Sequence, residues 1–146
     1  MKRFKGFSLI EMILSIAIIL ILLSTVTINF NIKDKIEARE QIKTMALDIK
    51  FLKNYAQINN TRTSMDISDN SYTMKFGEKS KEVKFNQLVK LEESNLNNIT
   101  FTSKGKPSYI KDKSSAGTLI YSVGKKKFRI SIQPVTGKVN ISEYEK

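Results

Sequence analysis

The chain contains no cysteine and no histidine. The first absence removes disulfides as a source of stability, and the second removes the commonest metal ligand and general base. Proline occurs only at Pro107 and Pro134, and no glycine falls between Gly6 and Gly77. So long a run without a helix breaker leaves room for one long helix. Charge is missing altogether from Met12 to Phe30. Catalytic signatures are missing too: there is no nucleophile elbow, no P-loop and no metal-ligand cluster. Asp66, Asp69, Glu92 and Glu93 fall in or beside predicted turns and carry no motif spacing. The chain therefore reads as a non-enzyme, with no cofactor implied.

What is present is concentrated at the start. The basic residues Lys2, Arg3 and Lys5 precede Gly6 and Phe7, then Ser8-Leu9-Ile10, then Glu11, and the uncharged stretch follows. Phe7 to Phe30 is 24 residues, above the ~20 that cross a bilayer as a helix. A carboxylate at the edge of such a segment is costly and marks a functional site. A cleaved secretory signal would have a shorter apolar region and a small-residue site after it. Ser24-Thr25-Val26-Thr27-Ile28-Asn29 offers no such site. The leading cations place the N-terminus in the cytoplasm and the rest outside. Lys33 and Lys35 weaken that asymmetry, and Asp34, Glu37 and Glu40 partly balance them.

The order Gly6, Phe7, three residues, Glu11, between a basic leader and an apolar run, resembles the type IV pilin family, including the pseudopilins of secretion and DNA uptake. The resemblance implies a leader, residues 1–6, cut by a prepilin peptidase between Gly6 and Phe7. It also implies methylation of the new Phe7 amine. Glu11 would become the fifth mature residue, and other pilins would be its partners in a helical fibre. The implied locale is the cell membrane, with membrane lipid around the helix before assembly and the fibre after it.

Beyond the span, Ile32, Ile36, Ile42, Met45, Ile49, Leu52 and Ala56 recur mostly at steps of three and four, the stripe of an amphipathic helix. One helix is predicted from about residue 7 to 57, ended by Asn59-Asn60-Thr61. Strand signals follow. Tyr72, Met74 and Phe76 alternate with polar residues, and Phe128, Ile130 and Ile132 do the same after the Gly124-Lys125 turn. The expected organisation is α+β: residues 7–30 transmembrane, 31–58 an amphipathic continuation of the helix, and 59–146 an antiparallel β-rich domain. Phe101-Thr102-Ser103-Lys104-Gly105, Gly117-Thr118-Leu119-Ile120 and Thr136-Gly137-Lys138-Val139 are similar to the C-terminal order of minor pilins of the pseudopilin H and competence pseudopilin group.

Two candidate sites result. Glu11 reads as a lone carboxylate that needs a cation. The cation that cleavage creates is the Phe7 amine, and in pilins the partner is taken to be the amine of a neighbouring subunit. The second site is basic. The net charge is +11, and without Lys2, Arg3 and Lys5 the 25 basic residues fall to 22 against 14 acidic, a balance of +8. Lys125, Lys126, Lys127 and Arg129 cluster at one hairpin, and Lys104, Lys106, Lys111 and Lys113 precede it. If they share a face, they form a footprint for a phosphate backbone, with Tyr109 to stack and Phe128 in the core. Two alternatives to a minor pilin or pseudopilin therefore stay open: a competence pilin binding DNA through this face, and a membrane-anchored binding module that never polymerises.

Overall fold

The computed structural model describes residues 8–110 and 113–145, without the side chains of residues 25–31, 110 and 113. The chain divides into two units, Met1–Asp34 and Lys35–Lys146. One continuous helix, α1 (Leu9–Ile58), contributes to both. With no proline or glycine along it, nothing interrupts its backbone bonds until Asn60. There φ turns to +48°, and the Thr61 N–H donates back to the Ala56 carbonyl at 3.1 Å. This left-handed cap uses asparagine, which tolerates that conformation better than most residues.

In the first unit every described side chain from Ser8 to Ser24 is exposed. Its hydroxyls turn inward on the helix: Ser15 Oγ donates to the Glu11 carbonyl and Ser24 Oγ to the Ile21 carbonyl, each at 2.7 Å. Such back-bonding ties a hydroxyl to the carbonyl of the preceding turn. Among the described residues no helix is long and apolar enough to cross a membrane. Phe7 and the side chains of residues 25–30, part of the span predicted from sequence, lie outside the described residues.

The second unit lays the rest of α1 on antiparallel strands: β1 (Thr63–Ile67), β2 (Ser71–Phe76), β3 (Lys79–Lys84), β4 (Lys90–Ser94), β5 (Asn98–Phe101), β6 (Tyr109–Ile110), β7 (Lys113–Ser114), β8 (Gly117–Val123), β9 (Lys126–Ile132) and β10 (Val139–Glu145). One sheet runs β3-β2-β1-β5, a second β10-β9-β8-β4, and β6-β7 form a short ribbon. The architecture is α+β and pilin-like: a long N-terminal helix followed by antiparallel sheets. Ala38, Ile42, Met45, Ile49, Leu52 and Ala56 are fully buried against Met65, Tyr72, Ile99, Phe101, Phe128 and Ile130. The alternation in β2 and β9 puts Tyr72, Met74, Phe128, Ile130 and Ile132 inward, as the sequence predicts. Ile32 and Ile36 depart from the predicted stripe, with 51% and 54% exposure. Ile36 is six residues before Ile42, about 240° round the helix at ~100° per residue, so it faces away from the buried stripe.

Two tyrosines in this core carry opposite expectations. The Tyr72 hydroxyl donates to Asp48 Oδ2 at 2.7 Å. The buried Tyr121 hydroxyl has no partner among the described residues. Burial pushes both phenols above their ordinary range, and the Asp48 carboxylate adds to the shift at Tyr72. Tyr72→Phe is expected to cost about 1.5 kcal/mol, because a hydrogen bond to a charged group is lost. Tyr121→Phe is expected to be neutral, or to stabilise by up to ~1 kcal/mol, because a buried unpaired hydroxyl is removed. Urea unfolding of the full chain in detergent measures both.

Candidate assembly site at the head of the helix

Ser8 is the first described residue and the N-cap of α1. Its carbonyl accepts the Met12 N–H at 3.2 Å, the first turn of the helix. Its hydroxyl accepts the Glu11 N–H at 3.3 Å, and its own N–H donates to Glu11 Oε2 at 2.9 Å. This is a reciprocal capping box, in which the serine and the glutamate three residues later satisfy each other's backbone donors. The cap adds a hydrogen-bond partner for Glu11 but no cation. One of its oxygens is already held within the chain. The other, Oε1, accepts no hydrogen bond among the described residues. Ser8 is a site residue that the sequence reading passed over, although Ser-x-x-Glu before an apolar run is a recognisable start signal. Gly6 and Phe7, the predicted cleavage and methylation residues, lie outside the described residues.

The geometry is that of a capped carboxylate heading a helix whose first apolar side chains are exposed among the described residues. Leu9, Ile10, Met12, Ile13 and Leu14 are 59–78% exposed. An apolar surface this continuous belongs against lipid or against other helices.

The basic candidates are not brought together. Gly124 and Lys125 turn between β8 and β9, at one end of β9. At the other end, the β9–β10 turn meets the Lys104–Lys106 loop. A Cβ on Gly137 would stand 2.6 Å from the Gly105 carbonyl oxygen, and both glycines have positive φ. Only glycine permits that approach. The two lysine groups are therefore separated by the length of a seven-residue strand, about 20 Å. Three of the hairpin cations also have partners already. Lys126 pairs with Glu143, Lys127 Nζ stands 3.2 Å from Glu92 Oε2, and the Arg129 guanidinium lies 5.5 Å from the Tyr144 ring centre. Lys104, Lys106 and Lys125 are exposed. Lys111 and the Lys113 side chain lie outside the described residues. Tyr109 is 75% exposed and Phe128 is fully buried, as expected.

Elsewhere, polar groups on the open face of the first sheet satisfy one another. Lys75 Nζ donates to Asp66 Oδ2 at 2.9 Å, Asn98 donates to Oδ1, and Thr100 Oγ1 donates to Asn98 at 2.7 Å. The Lys75 hydrogen bond holds the Asp66 carboxyl below its ordinary value. No group of three or more carboxylates among the described residues is placed to hold a metal ion.

Residues 1–27 match the family described as the prokaryotic N-terminal methylation motif, which supports a type IV pilin-like prepilin. No curated protein and no solved structure matches the chain.

Proposed function

We propose that the chain is a minor pilin or pseudopilin. On this reading a prepilin peptidase removes residues 1–6 and methylates Phe7. Residues 7–30 then hold the subunit in the cell membrane with the β-rich domain outside, until it joins a helical fibre. The observation that carries the reading is the methylation motif over residues 1–27. The exposed apolar face behind the Ser8–Glu11 cap supports it.

The chemistry of assembly follows from the two oxygens of Glu11. Ser8 keeps Oε2 and with it the carboxylate's orientation. Oε1 is the acceptor for the ammonium of a neighbouring subunit's Phe7. Before cleavage that nitrogen is an amide and carries no charge to offer. Afterwards a cation exists, and a carboxylate among apolar helices is stabilised only by such a partner. Cleavage is therefore the switch between a subunit stored in lipid and one competent to assemble. The role is that of a structural subunit and a substrate of the peptidase.

Mass spectrometry of the chain recovered from fibres tests the reading. The expected N-terminus is Phe7 with one added methyl group. An intact Met1 terminus in assembled material would contradict it.

A further inference from the structure

The two sheets have four edges; among the described residues one is covered, at β5, and one is bent by a bulge, at β4. At β5, the Ser108 N–H donates to the Thr100 carbonyl at 2.8 Å, and Pro107 bridges Phe101. At β4, the register breaks between Leu91 and Glu93. The other two edge strands, β3 and β10, have no strand paired on their outer side among the described residues. All of β3 but Val83 is exposed, and so is every residue of β10 after Val139. β10 pairs with β9 without a break over all seven residues and contains neither lysine nor proline, the usual guards of an edge.

We infer that β3 of one copy pairs with β10 of a second copy, adding sheet to sheet from subunit to subunit. The argument rests on which side chains share a face. Lys79, Lys81 and Val83 stand opposite Phe76, Met74 and Tyr72, so they lie on the core side of their sheet. Ile141 and Glu143 stand opposite the buried Ile130 and Phe128, and Glu145 stands opposite Lys126, so these also lie on the core side. A single antiparallel register aligns Val83 with Ile141, Lys81 with Glu143, and Lys79 with Glu145. On the outer face the same register aligns Lys84 with Asn140, Glu82 with Ser142, and Ser80 with Tyr144. Opposite charges directly across a strand pair are favourable and like charges are not. Glu143 already meets Lys126, and a second lysine would share that carboxylate. Pairing β3 with β3 would set lysines against lysines, and β10 with β10 would set glutamates together, so charge selects the mixed contact. A contact between two different edges does not close on itself in a pair and can extend along a filament. It adds to the Glu11 contact and does not depend on leader removal.

The absence of cysteine makes the test clean. Two forms of the full chain, one Glu82→Cys and the other Ser142→Cys, are produced together in membranes and oxidised. A disulfide-linked dimer is expected from the mixture and not from either form alone. Replacing the second by Tyr144→Cys moves the pair two residues out of register and should lower the yield about fivefold, because diagonal Cβ atoms lie beyond disulfide reach. In the matched pair, Glu143→Lys with Glu145→Lys should abolish the dimer. Adding Lys79→Glu and Lys81→Glu should restore it, which a misfolded variant would not show. No dimer from the matched pair, equal yield from the offset pair, or failure of the charge swap to restore it would overturn the inference. Leader removal is scored in the same samples, so failed processing and failed edge pairing read out separately.

Discussion

On the proposed processing, Gly6→Val is expected to leave the chain uncut and longer than the processed form by residues 1–6. The expectation rests on the motif that spans residues 1–27 and on the chemistry of the bond to be broken. A peptidase must bring its catalytic groups against the backbone between residues 6 and 7. A residue without a side chain allows that approach, and a β-branched one both blocks it and restricts φ and ψ. The block should be nearly complete, because a misplacement of about 1 Å at a reacting bond can cost on the order of 10²-fold in rate. Electrophoresis and mass spectrometry of membranes read the ratio of precursor to mature chain. A fully cleaved Gly6→Val protein would place the cut elsewhere and remove the ground for assigning Phe7 as the mature N-terminus.

Loss of the Glu11 charge should abolish fibre incorporation while leaving cleavage intact. The capping box makes this separable into two roles. Glu11→Gln retains a side chain able to accept the Ser8 N–H, so the helix start is kept and only the charge is lost. Glu11→Ala removes both. If the carboxylate acts by pairing with a neighbour's ammonium, both variants leave that ammonium unpaired among apolar helices. Breaking a buried ion pair by removing one partner costs about 3–5 kcal/mol, on the order of 10² to 4 × 10³ in an equilibrium constant. Both should therefore drop out of fibres to a similar extent. If Glu11 acts only through the cap, Gln should behave as wild type and Ala should lose ~1 kcal/mol of helix stability. Quantifying each variant in sheared fibres against its membrane pool distinguishes the two. A subunit at the fibre tip would need no partner for its own Glu11, so the variants are compared at an internal position. Normal incorporation of Glu11→Gln there would sink the ion-pair mechanism.

The consequence for the basic residues is negative for one early expectation. A DNA footprint needed the Lys104–Lys106 loop and the Lys125 turn on one face. The structure puts them at opposite ends of β9 and gives Lys126, Lys127 and Arg129 partners within the chain. Lysine instead gathers on the β3 edge, where Lys79, Lys81 and Lys84 are exposed.

How far the sequence alone reached depends on how local each feature is. The long helix, its end at Asn59-Asn60, the inward alternation of Tyr72 and Met74, and the Phe128-Ile130-Ile132 strand were all legible. Each follows from a repeat of two or about 3.6 residues, or from a missing helix breaker, within a short window. The Ser8–Glu11 cap is legible in the same local way, from a Ser-x-x-Glu spacing before an apolar run. Tertiary structure alone decided which apolar residues of the helix meet the sheet. Ile36 stands six residues before Ile42, off the three-and-four spacing, and faces away from the sheet. It alone decided that residues close in sequence, such as Lys106 and Lys125, stand a strand's length apart, while Lys126 and Glu143 touch. And it alone decided which strands end as open edges, since an edge is defined by the absence of a neighbour that any distant segment could have supplied.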